Sequence, residues 1–372
     1  MSTDIYKKLA RHLDSLPGGF PSTESGVELR ILRRLFSPEQ ALLATHLTII
    51  PEREAVVARR AGLAVAECAR CLDQMSDAGL IFSYRQGRDT YYMAAHFVIG
   101  IWEYHVNKLD PELIKDMREY IPSLFNIWQA VPQLRTIPVG RSLQTGHEVM
   151  AYEQAEAIIK AHERILVAPC ICRREHAIMG QGCGKLEEAC LVFGAGVPYY
   201  QKNGLGRPLG QEEALEILKL ADKAGLVLQP SNAQKVINIC CCCGCCCHVL
   251  KNIKRHIQPA EIVVSSFVVQ LDEQACTGCG ICEERCQVEA LAQVSKKGKA
   301  ALEAERCIGC GLCVTTCSGN ALTLKRKPQT RPVPRNVVEN YLNLARARGK
   351  MKPHQLVWMQ LKSKMDRLLA KS

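Results

Sequence analysis

The sequence predicts an α+β chain of several domains. Three observations predict it. Residues 27–105 pass from helical periodicity into a β-rich hairpin. Residues 146–262 alternate strand-like and helical segments that run into cysteines. The spacing C-x2-C-x2-C-x3-C then occurs twice between Cys276 and Cys317, and a basic helical tail follows. At 372 residues the chain has room for roughly two or three domains and a substantial core.

Residues 1–26 read as a lead-in, a polar amphipathic helix followed by the turn-rich LPGGFPSTESG. VELRILRRLF and ALLATHL read as two helices. Ser37 and Gln40 between them form a capping box, with Pro38 at the first helical position. EREAVVARRAG is a third helix closed by Gly62, and VAECARCLDQMSDAG a fourth. IFSYRQGRDTYYMAA gives two β-rich runs around Gln86-Gly87-Arg88-Asp89, a hairpin. Helix, turn, helix and hairpin in that order resemble a winged-helix domain, here residues 27–105. Its charge argues against DNA as a partner, with nine Lys and Arg facing eight acidic residues between Val27 and His96. The would-be recognition helix sets Glu67, Asp73 and Asp77 against Arg70 alone, a poor match to a phosphate backbone. Protein docking or homodimerisation fits this face better. Cys68 and Cys71, at i and i+3, read as small core residues rather than a redox or metal pair.

Residues 106–145 read as a helical connector, PELIKDMREYIPSLFNIWQAVPQ, interrupted at Pro122. RTIPVGRSL is strand-like, Tyr152 to Glu163 an amphipathic helix, and RILVAPC a buried strand opening the α/β domain of residues 146–262. Cys170 and Cys172 at the end of that strand would share one face about 6.6 Å apart, suiting two ligands of one centre. Cys183 and Cys190 complete a set spaced C-x-C-x10-C-x6-C, a one-metal or one-cluster site. Arg173 and Arg174 are placed either to stabilise thiolates or to be solvated. Gln211 to Ala224 forms a second helix, with Glu212 and Glu213 in its first turn and Gly225 as its stop. The strands LVLQ and KVINI lead to NICCCCGCCCHVL. Alternate residues there must face different ways. Cys240, Cys242, Cys243, Cys245, Cys246 and Cys247, with Cys241, therefore divide among a cluster shared with the C-x-C site, a second cluster, and neither. Together with Cys170, Cys172, Cys183 and Cys190 they suffice for two four-ligand clusters or for one larger non-cubane centre, with zinc as the alternative metal. His176 and His248 read as surface or capping histidines.

CTGCGICEERC and CIGCGLCVTTC stand twenty residues apart. Each is the ligand run of bacterial ferredoxins that hold two [4Fe-4S] clusters, and residues 263–328 resemble that family. The resemblance implies one cluster on Cys276, Cys279, Cys282 and Cys317 and a second on Cys307, Cys310, Cys313 and Cys286. Gly278, Gly280, Gly309 and Gly311 sit between ligands, where the backbone must turn sharply. The family usually carries Pro after the fourth Cys, whereas this chain has Gln287 and Ser318. SFVVQLD, LAQV, AALEA and ALTLKRK are the expected strands. HVLKNIKRH is the helix before them.

A wider resemblance rests on PCICR, CLVFG, GRPL, GLVLQPSN, NICCCCGCCC and LPGGFPSTESGVE in one chain. Together they are similar to a group of large ferredoxin-like proteins of strict anaerobes. In that group the position of Cys241 is often Asn, which implies that Cys241 is the weakest ligand candidate of the seven. The resemblance implies iron–sulfur electron transfer and no assigned reaction.

The net charge of +11 is concentrated in the tail, thirteen Lys and Arg against two acidic residues from Lys325 to Ser372. Residues 329–372 read as a pair of basic amphipathic helices broken between Gly349 and Pro353. They either pack back on the body or dock an acidic partner. Twenty-one Cys without a signal-like apolar run or a span of ~18 apolar residues point to a reducing cytoplasm rather than to a disulfide scaffold. There is no nucleophile–base pair, dinucleotide fingerprint or phosphate loop. The expectation is thus a cytoplasmic electron-transfer subunit working with a flavin or metal oxidoreductase. A redox-sensing winged-helix regulator and an enzyme with a substrate-binding non-cubane cluster are the alternatives.

Overall fold

Local signals near the N-terminus set the first elements of the computed structural model, which describes residues 4–143, 149–293 and 298–370. Asp4 caps α1 (Ile5–Ser15), and α2 (Val27–Leu35) follows the turn-rich segment. Ser37 and Gln40 close a reciprocal capping box on α3 (Pro38–Ala44), as the sequence predicts. Next come α4 (Glu54–Ala61), Gly62 in the left-handed conformation, and α5 (Val65–Ala78). β1 (Ile81–Gln86) and β2 (Asp89–Ala94) pair antiparallel with Gln86 opposite Asp89. After α6 (Trp102–Tyr104), α7 (Pro111–Trp128) runs unbroken through Pro122, where an interruption is predicted. Its stripe of Leu113, Ile114, Met117, Tyr120, Ile121, Leu124 and Phe125 is buried on both sides of the proline. That continuous burial outweighs one lost backbone hydrogen bond.

The chain divides into two compact units. The first holds residues 1–131, 198–205 and 341–372. Within it α5 turns Cys68, Leu72 and Met75 into the core, and burial pushes the Cys68 thiol up to about 11. Cys71 is half-buried, with its sulfur 3.9 Å from that of Met75. Tyr199 donates to the carbonyl oxygens of Ser76 and Ile81 at 3.1 and 2.7 Å.

The second unit holds residues 132–197 and 206–340. Its elements are α8 (Ala155–Lys160), β3 (Ile165–Pro169), α9 (Ile171–Ile178), β4 (Glu188–Phe193), and, after α10 (Gly196–Lys202), β5 (Arg207–Leu209). α11 (Gln211–Lys223), β6 (Val227–Pro230), β7 (Asn238–Cys242), α12 (His248–Arg255) and α13 (Pro259–Ile262) follow. The predicted helix from Tyr152 to Glu163 shortens to α8 behind a 3-10 turn at Ala151–Glu153. RTIPVGRSL contributes a single bridge beside β6, Ile137 opposite Leu228, rather than a strand. The domain boundary expected at 145 lies outside the described residues.

The five strands order as β5-β3-β4-β7-β6, all neighbours antiparallel. Ile165, Val167, Leu191, Phe193, Ile239 and Cys241 point to one face, where α8 and α11 supply Ile158, Ile159, Ala214 and Leu218. The registers Ala168 to Cys190 and Cys190 to Cys240 put Cys190, Cys240 and Cys242 on the other face.

The doubled-cysteine segment builds β8 (Phe267–Leu271), α14 (Ile281–Arg285), β9 (Leu291–Gln293), β10 (Ala300–Leu302) and β11 (Leu322–Arg326). β8 pairs with β11 and β9 with β10, both antiparallel. Val294 of the predicted strand LAQV lies outside the described residues. The apolar residues of this segment share one core with the five-stranded sheet.

The tail forms α15 (Val337–Ala347) and α16 (Pro353–Leu369). α16 packs back on α4 within the first unit. Asp366 takes Arg59 at 2.8 Å and Arg60 at 2.6 Å, Arg60 reaches Glu52 at 2.5 Å, and Ser363 donates to Glu52 at 2.6 Å. The opposite side of α16 leaves Val357, Trp358, Leu361, Met365 and Leu368 exposed. No helix among the described residues is long and apolar enough to cross a membrane.

Two outcomes follow from the first unit. Glu52 is 1% exposed, so Arg60→Met strands a buried carboxylate and lowers the stability of this unit by about 3–5 kcal/mol in urea unfolding. His96 stacks on the Tyr341 ring at 3.7 Å, and burial of its ring holds the imidazole down at about 4. Its unfolded value is about 6.5, so the unfolded chain binds the proton first. His96 then costs nothing above pH 6.5 and removes stability as the pH falls toward 4, by about 3 kcal/mol. A His96→Asn variant measured at pH 7 and pH 4.5 should show a smaller loss on acidification than the parent chain.

Candidate metal centres

β3 ends at Pro169 with a register shift between Ala168 and Pro169, and Cys170 N–H makes a last bond to the Glu187 carbonyl oxygen at 2.8 Å before the chain turns into α9. Cys170 therefore caps α9, with Cys172 in its first turn. The C-x-C pair sits at a strand-to-helix junction and not along the strand, which corrects the sequence reading. The Cys172 thiol lies within hydrogen-bonding reach of Cys170 and Cys247, and Cys242 within reach of Cys247 and Cys240. Cys240 in turn meets Cys190 across the β4–β7 ladder. Six thiols thus run side by side from Cys170 to Cys190. Asn238 donates its side-chain N–H to Cys240 Sγ at 3.6 Å.

A second group forms at the turn after β7. The sulfurs of Cys183, Cys243, Cys245 and Cys246 all lie within 4.8 Å of one another. Four thiols at that spacing suit a tetrahedral centre, whose ligand sulfurs stand about 3.8 Å apart on a 2.3 Å metal–sulfur bond. Cys183 accordingly joins this turn rather than the one-metal set with Cys170, Cys172 and Cys190. Cys241 belongs to neither group. It is buried on the apolar face, and burial pushes its thiol up to about 12.

Arg173 is buried beside both groups. Its two terminal nitrogens donate to the Cys241 carbonyl oxygen at 3.1 Å, and one stands 3.6 Å from Cys243 Sγ. Burial alone would lower its pKa, but the sulfurs of Cys170, Cys243 and Cys242 raise it above the ordinary value, so its positive charge is held among the thiols. Arg174 instead pairs with Glu187 at 2.6 Å, on the surface. His176 and His248 are not surface residues. His176 meets the Cys172 carbonyl oxygen at 2.8 Å, and His248 Nε2 lies 2.5 Å from the fully buried Glu175 carboxylate. The His248–Glu175 contact ties α12 to α9.

In the doubled-cysteine segment, Gly278, Gly280, Gly309 and Gly311 adopt φ of 74°, 78°, 68° and 73°, the sharp turns that the spacing requires. Cys276 and Cys279 lie in electrostatic reach of Cys282, while Cys286 lies with Cys307, Cys310 and Cys313. A cavity lined by Cys286, Cys307, Cys310 and Cys313 with Val269 and Leu291 has the apolar walls and the thiol count that a cluster takes. Gly319, two residues after Cys317, packs against Ala275 and Thr277 on either side of Cys276. The backbone N–H of Ala290 donates to Cys286 Sγ at 3.1 Å, and that of Ala300 to Cys276 Sγ at 3.5 Å.

Residues 275–322 match the family described as 4Fe-4S dicluster domain. This segment binds at least one 4Fe-4S cluster. Comparison with curated proteins and with solved structures finds no match. All eight cysteines of the doubled run fall inside the matched residues.

Among the contacts that join the dicluster module to the rest of its unit, three lie near the cysteines. Asp222 at the end of α11 accepts from Arg285 at 2.9 Å, from Thr315 at 3.1 Å and from Arg141 at 2.8 Å. Val139 N–H donates to the Cys310 carbonyl oxygen at 3.0 Å. Gln287, which follows Cys286 where the bacterial ferredoxin ligand run carries Pro, accepts from Gly244 N–H at 2.8 Å through Oε1. Gly244 lies between Cys243 and Cys245, and a Cβ on it would stand 2.5 Å from the Gln287 carbonyl oxygen. Sequence reasoning missed this contact, whose partners are 43 positions apart. Its signals were the missing proline and the glycine that breaks the cysteine run. Gly244→Val should push the two backbones apart and lower thermal stability by about 1–3 kcal/mol. Limited proteolysis should then cut between residues 244 and 287 faster than in the parent chain.

Proposed function

We propose that this chain is an iron–sulfur electron-transfer protein. Its dicluster module exchanges single electrons with a metal centre on Cys183, Cys243, Cys245 and Cys246. In the module, Cys276, Cys279, Cys282 and Cys317 hold one [4Fe-4S] cluster, and Cys307, Cys310, Cys313 and Cys286 hold the other. The observation that carries the reading is the Gln287–Gly244 contact. It sets the residue next to a ligand of one cluster directly against the residue between two thiols of the other centre. Tunnelling falls steeply with distance through protein, so direct backbone contact between ligand loops favours transfer along that route. Electrons enter and leave one at a time, and no bond to a substrate is made.

A redox protein carrying a flavin or a metal is the fitting partner. The order α4, Gly62, α5, β1, β2 supports a winged-helix reading of the N-terminal region, and α5 exposes Glu67, Asp73 and Asp77. That acidic face favours a protein partner, or a second copy of the chain, over nucleic acid.

Protein prepared without oxygen should contain more than the roughly eight Fe of two cubanes. Cys183→Ser should remove about one Fe, the count of a single tetrahedral ion on four thiolates, while the EPR signals of the reduced dicluster module persist. A zinc ion that departs with Cys183→Ser, the iron staying constant, would rule out electron transfer through the four-thiol centre.

A further inference from the structure

We infer that Cys170, Cys172, Cys190, Cys240, Cys242 and Cys247 form one further site, which binds a polynuclear iron–sulfur centre made of two joined units with three thiolates each. A single tetrahedral ion or a single cubane takes four protein ligands, and six thiols in sequence along one surface exceed that count. The six fall into two triplets of different origin. Cys190, Cys240 and Cys242 come from β4 and β7 and point to the same sheet face, because Cys190 lies opposite Cys240 and Cys242 is two residues on. Cys170, Cys172 and Cys247 come from helix starts, Cys170 capping α9 and Cys247 capping α12. The triplets meet where Cys242 faces Cys247. Three thiolates leave each four-iron unit one corner short, and an inorganic sulfide between the triplets completes both.

The surroundings fit such a group. The two helix starts present their positive ends to the second triplet, where thiolate charge is stabilised. Arg173 adds a buried cation within reach of Cys170 and Cys242. Asn238 donates to Cys240 Sγ from the same strand face, the kind of bond by which proteins tune cluster potentials. Gln229, opposite Cys240 on β6 and 1% exposed, aims at this face with an Oε1 that has no protein partner. A buried polar atom of that kind marks a place built to meet another group. Cys241 is excluded by strand alternation, as it faces the apolar core. Iron rather than zinc follows from the setting, since the same unit carries the 4Fe-4S module. The inference extends the electron-transfer reading, but the metal content of this site does not depend on it.

The test uses the full chain, reconstituted without oxygen with Mössbauer-active iron, and measures iron, zinc and sulfide together with Mössbauer spectra. The parent chain should hold roughly eight Fe more than the dicluster module and the four-thiol centre together. Because the units share a bridge, Cys190→Ser and Cys170→Ser, one from each triplet, should alter the same Mössbauer component. Cys241→Ala should leave it unchanged, and the EPR of the dicluster module should persist in all three variants and report that each is folded. The inference is overturned if the parent chain lacks the extra iron, if zinc takes its place, or if the two serine variants affect separate components. Loss of the dicluster signals from the parent chain would instead strike the proposed electron-transfer function, with the six-thiol count still measured independently.

Discussion

In β7 successive side chains point to opposite faces, and the arrangement of the cysteine-rich region depends on that alternation. Asn238, Cys240 and Cys242 face one way, Ile239 and Cys241 the other. One side of the sheet can then be an ordinary apolar core under α8 and α11 while the other carries sulfur. A slip of one residue would turn Cys240 and Cys242 into the core and Cys241 out. The register is held by Leu191 opposite Ile239 and by Leu228 opposite Cys241, all buried on the core side. Hydrophobic burial, which knows nothing of metals, therefore decides which thiols are available to one.

Past Cys242 the chain leaves the sheet, and Gly244 makes the turn that sends Cys243, Cys245 and Cys246 toward Cys183. The same glycine admits the backbone of Gln287 at a distance that no side chain would allow. Asp222, 4% exposed, gathers Arg141, Arg285 and Thr315 around one carboxylate close by. Such a buried charge is tolerable only with its partners in place, so it specifies the join between module and sheet more than it strengthens it. Gln287 has a side chain with an acceptor oxygen where the bacterial ferredoxin ligand run has a proline ring without one. The departure from that run thus coincides with the attachment.

Much of this was legible in the chain itself. Capping at Ser37, the left-handed Gly62 and the hairpin at Gln86–Asp89 are local events with local causes, and they occur where the residues predict them. The doubled C-x2-C-x2-C-x3-C run was legible for the same reason, since the cysteines of each run stand together in a single turn-rich loop. Pro122 was misread because propensity speaks only of its own turn, while the burial that keeps α7 whole comes from side chains on both sides of it. The C-x-C pair was misplaced by assuming that the strand continued to Cys172, when α9 begins at Ile171.

The sequence by itself determined that the chain handles soft metals, that eight cysteines stand in ferredoxin spacing and that eleven more stand in two runs, because ligand identity and loop spacing are properties of neighbouring residues. Only the tertiary structure decided how the eleven divide, into four around the Gly244 turn, six along the sheet face and helix starts, and Cys241 apart. Cys183 and Cys246, or Cys190 and Cys240, are distant in the chain. What brings each pair together is the order of β3, β4 and β7 in the sheet and the packing of α9 against α12, neither of which any single segment encodes.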